Sequence, residues 1–157
     1  MAQENELITE ASSFQAMRNV LKGLLNRTFD KPGLGGGATN TRVKIANTFT
    51  YCINGKLYTK AGVDNISLTS SVAQAIGKYC KYLVSLIADG TVALTKGTDA
   101  TTQALSRIPD LPASSAPVGY VDIFASSATF TFGTDNLSDS ANFTVAYQDL
   151  SSVVQES

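Results

Sequence analysis

Residues 43–59 read VKIANTFTYCINGKLYT and carry the most regular pattern in the chain. Apolar side chains alternate with small, polar or charged ones, as is typical of a half-buried β-strand. The strand leads into Asn54-Gly55, the dipeptide that best tolerates the positive φ angles of a two-residue hairpin turn. The alternating apolar residues are Val43, Ile45, Phe49, Tyr51 and Ile53. This stretch predicts one long strand over 43–53, a hairpin, and a mainly β fold.

Shorter stretches of similar character follow along the chain, separated by turn residues. Asp89-Gly90 predicts a second hairpin turn, and a short helix is predicted near 99–107, capped by Thr98 or Asp99 and ending before Pro109. Further strands are predicted over 66–68, 79–88, 91–95, 118–125, 129–132 and 143–149. Seven or eight short strands predict an antiparallel β-sandwich or barrel, jelly-roll-like, over residues 41–157.

Residues 1–40 predict a different unit, an N-terminal arm. An amphipathic helix is predicted over 14–29, with a capping box formed by Ser12 and Gln15. The glycine-rich segment KPGLGGG at 31–37 then predicts a flexible, extended linker. The apolar stripe either folds back on its own body or binds another chain, and both alternatives stay open. The predicted partner-binding residues are Phe14, Met17, Leu21, Leu24, Leu25 and Leu34.

Composition bounds the chain to one core with an appendage, because 43% of its 157 residues are hydrophobic. Residues 14–96 carry 11 basic and three acidic residues, whereas residues 97–157 carry one basic and seven acidic. This polarity could steer one subunit onto another or be neutralised within one fold. No run approaches the roughly 20 apolar residues of a membrane span, so we expect no membrane partner.

Histidine is absent, which removes the commonest general base and the commonest zinc ligand. Cys52 and Cys80 lack a CxxC spacing, and we expect two buried, reduced thiols. Asp135 and Asp139 lie in a polar loop without the ligand spacing of a calcium site. We therefore expect no catalytic residue, no metal and no cofactor.

Two weaker signals point to phosphate or nucleic-acid binding. The glycine-rich segment follows a predicted helix and precedes a strand, the reverse of a phosphate-binding loop. Basic residues stand beside aromatic ones in Lys78-Tyr79 and Lys81-Tyr82, but strand alternation explains these pairs equally well. We expect no nucleic-acid partner.

The second half of the chain resembles virion structural proteins of tailed bacteriophages. The resemblance lies in residues 105–121, LSRIPDLPASSAPVGYV, and residues 127–135, SATFTFGTD. In those proteins a short helix and a loop of the form LPxLPA…APVGYV precede a strand with a threonine-rich segment. The resemblance implies a non-enzymatic capsid cement or decoration protein in the virion, assembled in the host cytoplasm. Its partners would be other copies of itself and the major capsid protein or another virion protein.

A phage tail-fibre or receptor-binding module that recognises glycans is the main alternative. Its sugar-stacking side chains would come from Tyr51, Tyr58, Tyr79, Tyr82 or Tyr120. Tyrosines clustered in a surface groove would favour this function, and buried tyrosines would oppose it. An enzyme is a third hypothesis, which would need carboxylate or lysine chemistry.

Overall fold

The computed structural model describes residues 26–151, in which strands account for 47% and helix for 2%. The fold is mainly β, as predicted, and its sheets are antiparallel. The strands are β1 Arg27–Thr28, β2 Leu34–Gly36, β3 Val43–Ile45, β4 Phe49–Ile53, β5 Lys56–Lys60, β6 Val63–Ile66, β7 Lys78–Ile87, β8 Val92–Lys96, β9 Ser115–Ala125 and β10 Phe143–Asp149. They form three sheets, in the orders β1-β4-β5, β10-β9-β7-β8 and β2-β3-β6.

Both predicted hairpins are confirmed. Between β4 and β5, Asn54 and Gly55 have φ angles of 52° and 81°, so both central residues of the turn are left-handed as a type I′ turn requires. Between β7 and β8, Gly90 has a φ of 84° and the Ile87 amide donates to the Thr91 carbonyl at 3.1 Å. Local turn chemistry therefore fixes these two connections.

The single strand predicted over 43–53 is wrong, because the stretch forms β3 and β4 in two different sheets. Asn47 stands where unbroken alternation would need a buried apolar residue, and it is exposed. There the Ala46 and Asn47 amides donate to the carbonyls of Gly33 and Pro32, at 3.1 and 2.9 Å. These hydrogen bonds tie the crossing between sheets to the segment before β2.

The glycine-rich segment is a strand of the body, where the sequence predicted a flexible linker. Leu34–Gly36 pairs with β3, Leu34 opposite Ile45 and Gly36 opposite Val43. The Asp149 carboxylate accepts hydrogen bonds from the Gly33 and Leu34 amides at 3.2 and 2.9 Å. Pairing with β3 and hydrogen bonds to the distant Asp149 thus override the local preference of glycine for flexible chain.

The predicted helix over 14–29 is wrong at its C-terminal end, since Arg27–Thr28 forms β1 and pairs with Cys52 and Tyr51. The rest of that helix, residues 14–25, lies outside the described residues. Pairing with β4 satisfies the backbone hydrogen-bonding groups of Arg27 and Thr28.

Three smaller predictions need correction. Only Gln103–Leu105 is helical within 99–107, as one 3₁₀ turn, because Ala100 is held extended by hydrogen bonds with Tyr79. The strand predicted over 129–132 is reduced to a single bridge between Phe130 and Gln74. The strand predicted over 66–68 is displaced to Val63–Ile66.

Buried residues from all three sheets form one hydrophobic cluster. Its centre is aromatic: Phe132 lies 5.3 Å from Tyr82 and Phe143 lies 5.0 Å from Phe130, measured between ring centroids. Burying one such side chain contributes on the order of 2–3 kcal/mol. The cluster is the core on which the surfaces described below are built.

Candidate functional site

The six predicted partner-binding residues fall into two groups. Phe14, Met17, Leu21, Leu24 and Leu25 lie outside the described residues. Leu34 is 8% exposed and packs in the core of its own chain, so this side chain is not on an accessible surface.

The point at which residues 1–25 join the body is held by hydrogen bonds. The Asn54 amide donates to the Asn26 side-chain oxygen at 2.7 Å. The Thr28 hydroxyl donates to the Pro117 carbonyl. The chain therefore enters the body beside the hairpin turn between β4 and β5.

Strand β8 is one of the two outer strands of the four-stranded sheet and leaves one backbone edge open. Its hydrogen-bonded positions follow from two contacts, the Ile87 amide to the Thr91 carbonyl at 3.1 Å and the Gly97 amide to the Lys81 carbonyl at 2.9 Å. Because antiparallel ladders alternate, the intervening Val92, Leu94 and Lys96 direct their backbone groups away from β7. No other strand of residues 26–151 pairs with them. We call this feature the β8 edge.

Exposed apolar side chains lie near the C-terminal end of the β8 edge, in two depressions that share Lys96 and Gly97. One open depression, of about 310 Å³, brings Val72 next to Leu94, Lys96 and Gly97. A second, of about 390 Å³, brings Leu105 and Ile108 next to the same Lys96 and Gly97. Val72, Leu105 and Ile108 are 60%, 62% and 39% exposed. A free strand edge thus ends next to two patches of uncovered apolar surface.

The lysine on the β8 edge is engaged within its own chain. Lys96 forms an ion pair with Asp99. Burial acts to raise the Asp99 pKa, but hydrogen bonds from Lys96 and from the Ala75 amide, at 2.8 Å, outweigh it and lower that pKa below its ordinary value. Lysines on edge strands ordinarily oppose strand addition through their free charge. Here that charge is compensated, so the edge is poorly protected against pairing.

The charge polarity of the sequence is partly neutralised inside the fold. Lys81, from the basic part of the chain, lies 4.0 Å from the Asp122 carboxylate in the acidic part. This contact agrees with internal neutralisation, the second of the two alternatives considered for the charge pattern.

The tyrosines predicted to stack on sugars lie in different environments. Tyr51 and Tyr82 are 2% and 0% exposed and belong to the core. Tyr58 stacks on Tyr51 with ring centroids 5.4 Å apart. Tyr79 and Tyr120 are half-buried and lie on the outer face of the four-stranded sheet. Of these five tyrosines, Tyr79 lines a surface groove.

The possible metal ligands in residues 26–151 are dispersed. No group of three or more histidine, cysteine or acidic residues there could hold a metal ion. Cys52 and Cys80 are buried and unpaired, as predicted, and burial raises the pKa of the Cys80 thiol to about 11. Within the same residues, no helix has the length and apolar character that a membrane crossing needs.

The chain matches no known protein family, no curated protein and no solved structure.

Proposed function

We propose that this chain is a non-enzymatic structural protein of a bacteriophage virion. It acts as a cement or decoration protein that binds the capsid lattice and associates with other copies of itself. The resemblance of residues 105–121 and 127–135 to phage virion proteins supports the virion assignment. The observation that carries the assembly role is the β8 edge, a strand with one unpaired backbone edge and with exposed apolar residues near its C-terminal end.

Self-association would proceed by adding a second copy's β8 to this edge. Two copies related by a two-fold axis would pair their β8 strands antiparallel and so join two four-stranded sheets. Val72, Leu105 and Ile108 would be covered in the same step. Since each is about half exposed, covering them would contribute on the order of 1 kcal/mol per side chain, in addition to the strand hydrogen bonds.

Besides other copies of itself, the chain would bind the major capsid protein or another virion protein. The predicted apolar stripe, Phe14 to Leu25, would make this contact, and the chain would reside in the virion after assembly in the host cytoplasm. The finer architecture, a jelly-roll-like sandwich or barrel, belongs to the same proposal. It is supported by the single cluster of buried residues drawn from all three sheets.

Light scattering after size-exclusion chromatography tests self-association. We expect the full chain to be an oligomer, and the double variant Val72→Glu with Leu105→Glu to be a monomer. Both side chains are largely exposed, so the fold should persist. Leu57→Glu is the matched control, because Leu57 is 63% exposed on β5, an edge strand of a different sheet. A monomeric full chain, or a double variant of unchanged mass, would refute the proposed interface.

Cosedimentation with particles of the encoding phage tests the lattice contact. Deleting residues 1–25 should leave a chain with the same β-type circular dichroism that no longer sediments with the particles. The deletion must stop before Asn26, since β1 and the buried Leu34 belong to the body. Full binding by the shortened chain would overturn the role of the N-terminal stripe.

The alternative function, a tail-fibre or glycan-binding module, is favoured by one separate observation. Tyr79 and Tyr120 lie half-buried on the outer face of the four-stranded sheet, whereas Tyr51 and Tyr82 are in the core and cannot contribute. The groove beside Tyr79 gives this alternative a specific site.

A further inference from the structure

A groove of about 190 Å³ lies on the outer face of the four-stranded sheet. The strand register builds it, because Tyr79 of β7, Phe124 of β9 and Thr144 of β10 are directly opposite one another in adjacent strands. The next outward row is Lys81, Asp122 and Ala146. The residues that line the groove are Tyr79, Gln103, Asp122, Phe124, Thr144 and Ala146.

One wall of the groove is aromatic and preformed. The rings of Tyr79 and Phe124 stack with centroids 4.3 Å apart and an angle of 18° between their planes. Each ring limits the motion of the other, so a ligand that packs against them orders little that is not already ordered. Thr144 and Ala146, both small and exposed, leave the space on the β10 side unfilled.

The polar side of the groove is centred on Asp122, whose side chain is 10% exposed. Its Oδ2 accepts a hydrogen bond from Gln103 Nε2 at 3.0 Å and lies 4.0 Å from Lys81 Nζ. Its Oδ1 is buried and has no hydrogen-bond partner among residues 26–151. A buried carboxylate oxygen without a donor costs free energy, which is unusual unless a ligand or water supplies the donor.

We infer that this groove binds a neutral saccharide, one pyranose ring at a time. The apolar face of a sugar ring packs on the Phe124 wall, while its hydroxyl groups donate to Asp122 and exchange hydrogen bonds with Gln103 and Thr144. Gln103 is exposed and lies on the 3₁₀ turn, so its side chain can turn aside and admit a hydroxyl group to the carboxylate. This inference gives the alternative function its site and does not depend on self-association through the β8 edge.

The charge balance favours a neutral ligand over a cationic one. The negative charge of Asp122 already faces Lys81, which also donates to the Ser106 carbonyl at 2.7 Å and lies 5.8 Å from the centre of the Tyr120 ring. A lysine or arginine side chain from a partner would have to compete with this resident cation. Neutral hydroxyl groups can donate to the carboxylate without that competition.

One shallow groove binds a single sugar weakly, with a dissociation constant on the order of millimolar. Repeated display of the groove on an assembled particle would raise the effective affinity, by about 10²-fold or more, through multivalency. A glycan-coated surface is therefore a better match than a free monosaccharide in solution.

Saturation-transfer NMR on the full chain tests the site with four neutral probes: glucose, galactose, mannose and N-acetylglucosamine. We expect saturation transfer to at least one sugar. The affinity for that sugar should be at least about tenfold lower in the variant Ala146→Arg, whose long side chain fills the groove from an exposed position. The matched control is Gln148→Arg, at the next outward position of β10 and outside the groove. The control should bind as the unchanged chain does.

Three results would overturn the inference. The first is no transfer to any of the four sugars at concentrations well above millimolar. The second is equal transfer to the Ala146→Arg and Gln148→Arg variants when circular dichroism shows both folded. The third is stronger binding of the cationic probe arginine methyl ester than of every sugar. The mass measured by light scattering should not change in Ala146→Arg, so failure here is separable from failure of the assembly proposal.

Discussion

Gln74 is fully buried and joins three parts of the fold through its side chain. Its Nε2 donates to the carbonyls of Lys78 and Ile123 at 2.7 and 2.9 Å, and its Oε1 accepts from the Tyr82 hydroxyl at 3.2 Å. Its backbone also bridges to Phe130. We predict that Gln74→Leu, which keeps the side-chain volume close to constant, strongly destabilises the protein.

The magnitude follows from the three side-chain hydrogen bonds. Each contributes about 1 kcal/mol net, so their loss should lower the free energy of unfolding by about 3 kcal/mol. Part of this cost is the Tyr82 hydroxyl, which is left buried without its partner. Tyr82→Phe should therefore cost about 1 kcal/mol in the unchanged chain and much less in the Gln74→Leu background.

Guanidinium unfolding of the unchanged chain, both single variants and the double variant measures these terms as a double-mutant cycle. For a chain of this size, the Gln74→Leu transition should also fall by about 10 °C in a thermal scan. Gln148→Leu is the control, because Gln148 is exposed and should change stability by no more than about 0.5 kcal/mol. A Gln74→Leu cost under about 1 kcal/mol, or strictly additive variants, would refute the role assigned to this side chain.

Further outcomes can be checked separately. Cys52 and Cys80 are buried, and burial raises the pKa of the Cys80 thiol to about 11. Neither thiol should therefore react with iodoacetamide at pH 8 until denaturant is added. Rapid labelling of the native chain would contradict this prediction. The pKa of Asp99 is lowered in the folded state, so its stabilising contribution is complete above its ordinary pKa and is lost as the pH falls through the folded value. Asp99→Asn should therefore flatten the pH dependence of the free energy of unfolding in that acidic window. An unchanged pH profile would exclude a stabilising role for the ion pair of Asp99 with Lys96. Gly119→Ala should destabilise by at least about 2 kcal/mol in chemical unfolding, because a Cβ there would lie 2.4 Å from a carbonyl oxygen of β10, and a neutral effect would show that β10 can shift.

The elements that could be predicted from the sequence are those set by neighbouring residues. The turns at Asn54-Gly55 and Asp89-Gly90 need only the φ angles of their own residues, and β10 follows from alternation over Phe143–Asp149. The assignment of Leu34–Gly36 failed because the groups that fix it, β3 and the Asp149 carboxylate, have no signal within the segment itself.

The residues of the candidate surfaces also differ in whether the sequence could predict them. Tyr79 could be named as a sugar-stacking residue from its type alone. Phe124, Asp122 and Gln103 could not, since they meet Tyr79 only through the register of β7 with β9 and the position of the 3₁₀ turn. The β8 edge depends on strand order, which no local pattern encodes.

The hydrogen bonds from Gly33 and Leu34 to Asp149 have a consequence for how the protein is made. They join residues 116 and 115 positions apart, and the bridge between Thr28 and Ser151 spans a similar distance. During synthesis, β1 and β2 can pair with β4 and β3 soon after those strands leave the ribosome. The contacts that attach β1 and β2 to the C-terminal part of the body form only after Asp149 and Ser151 have been made.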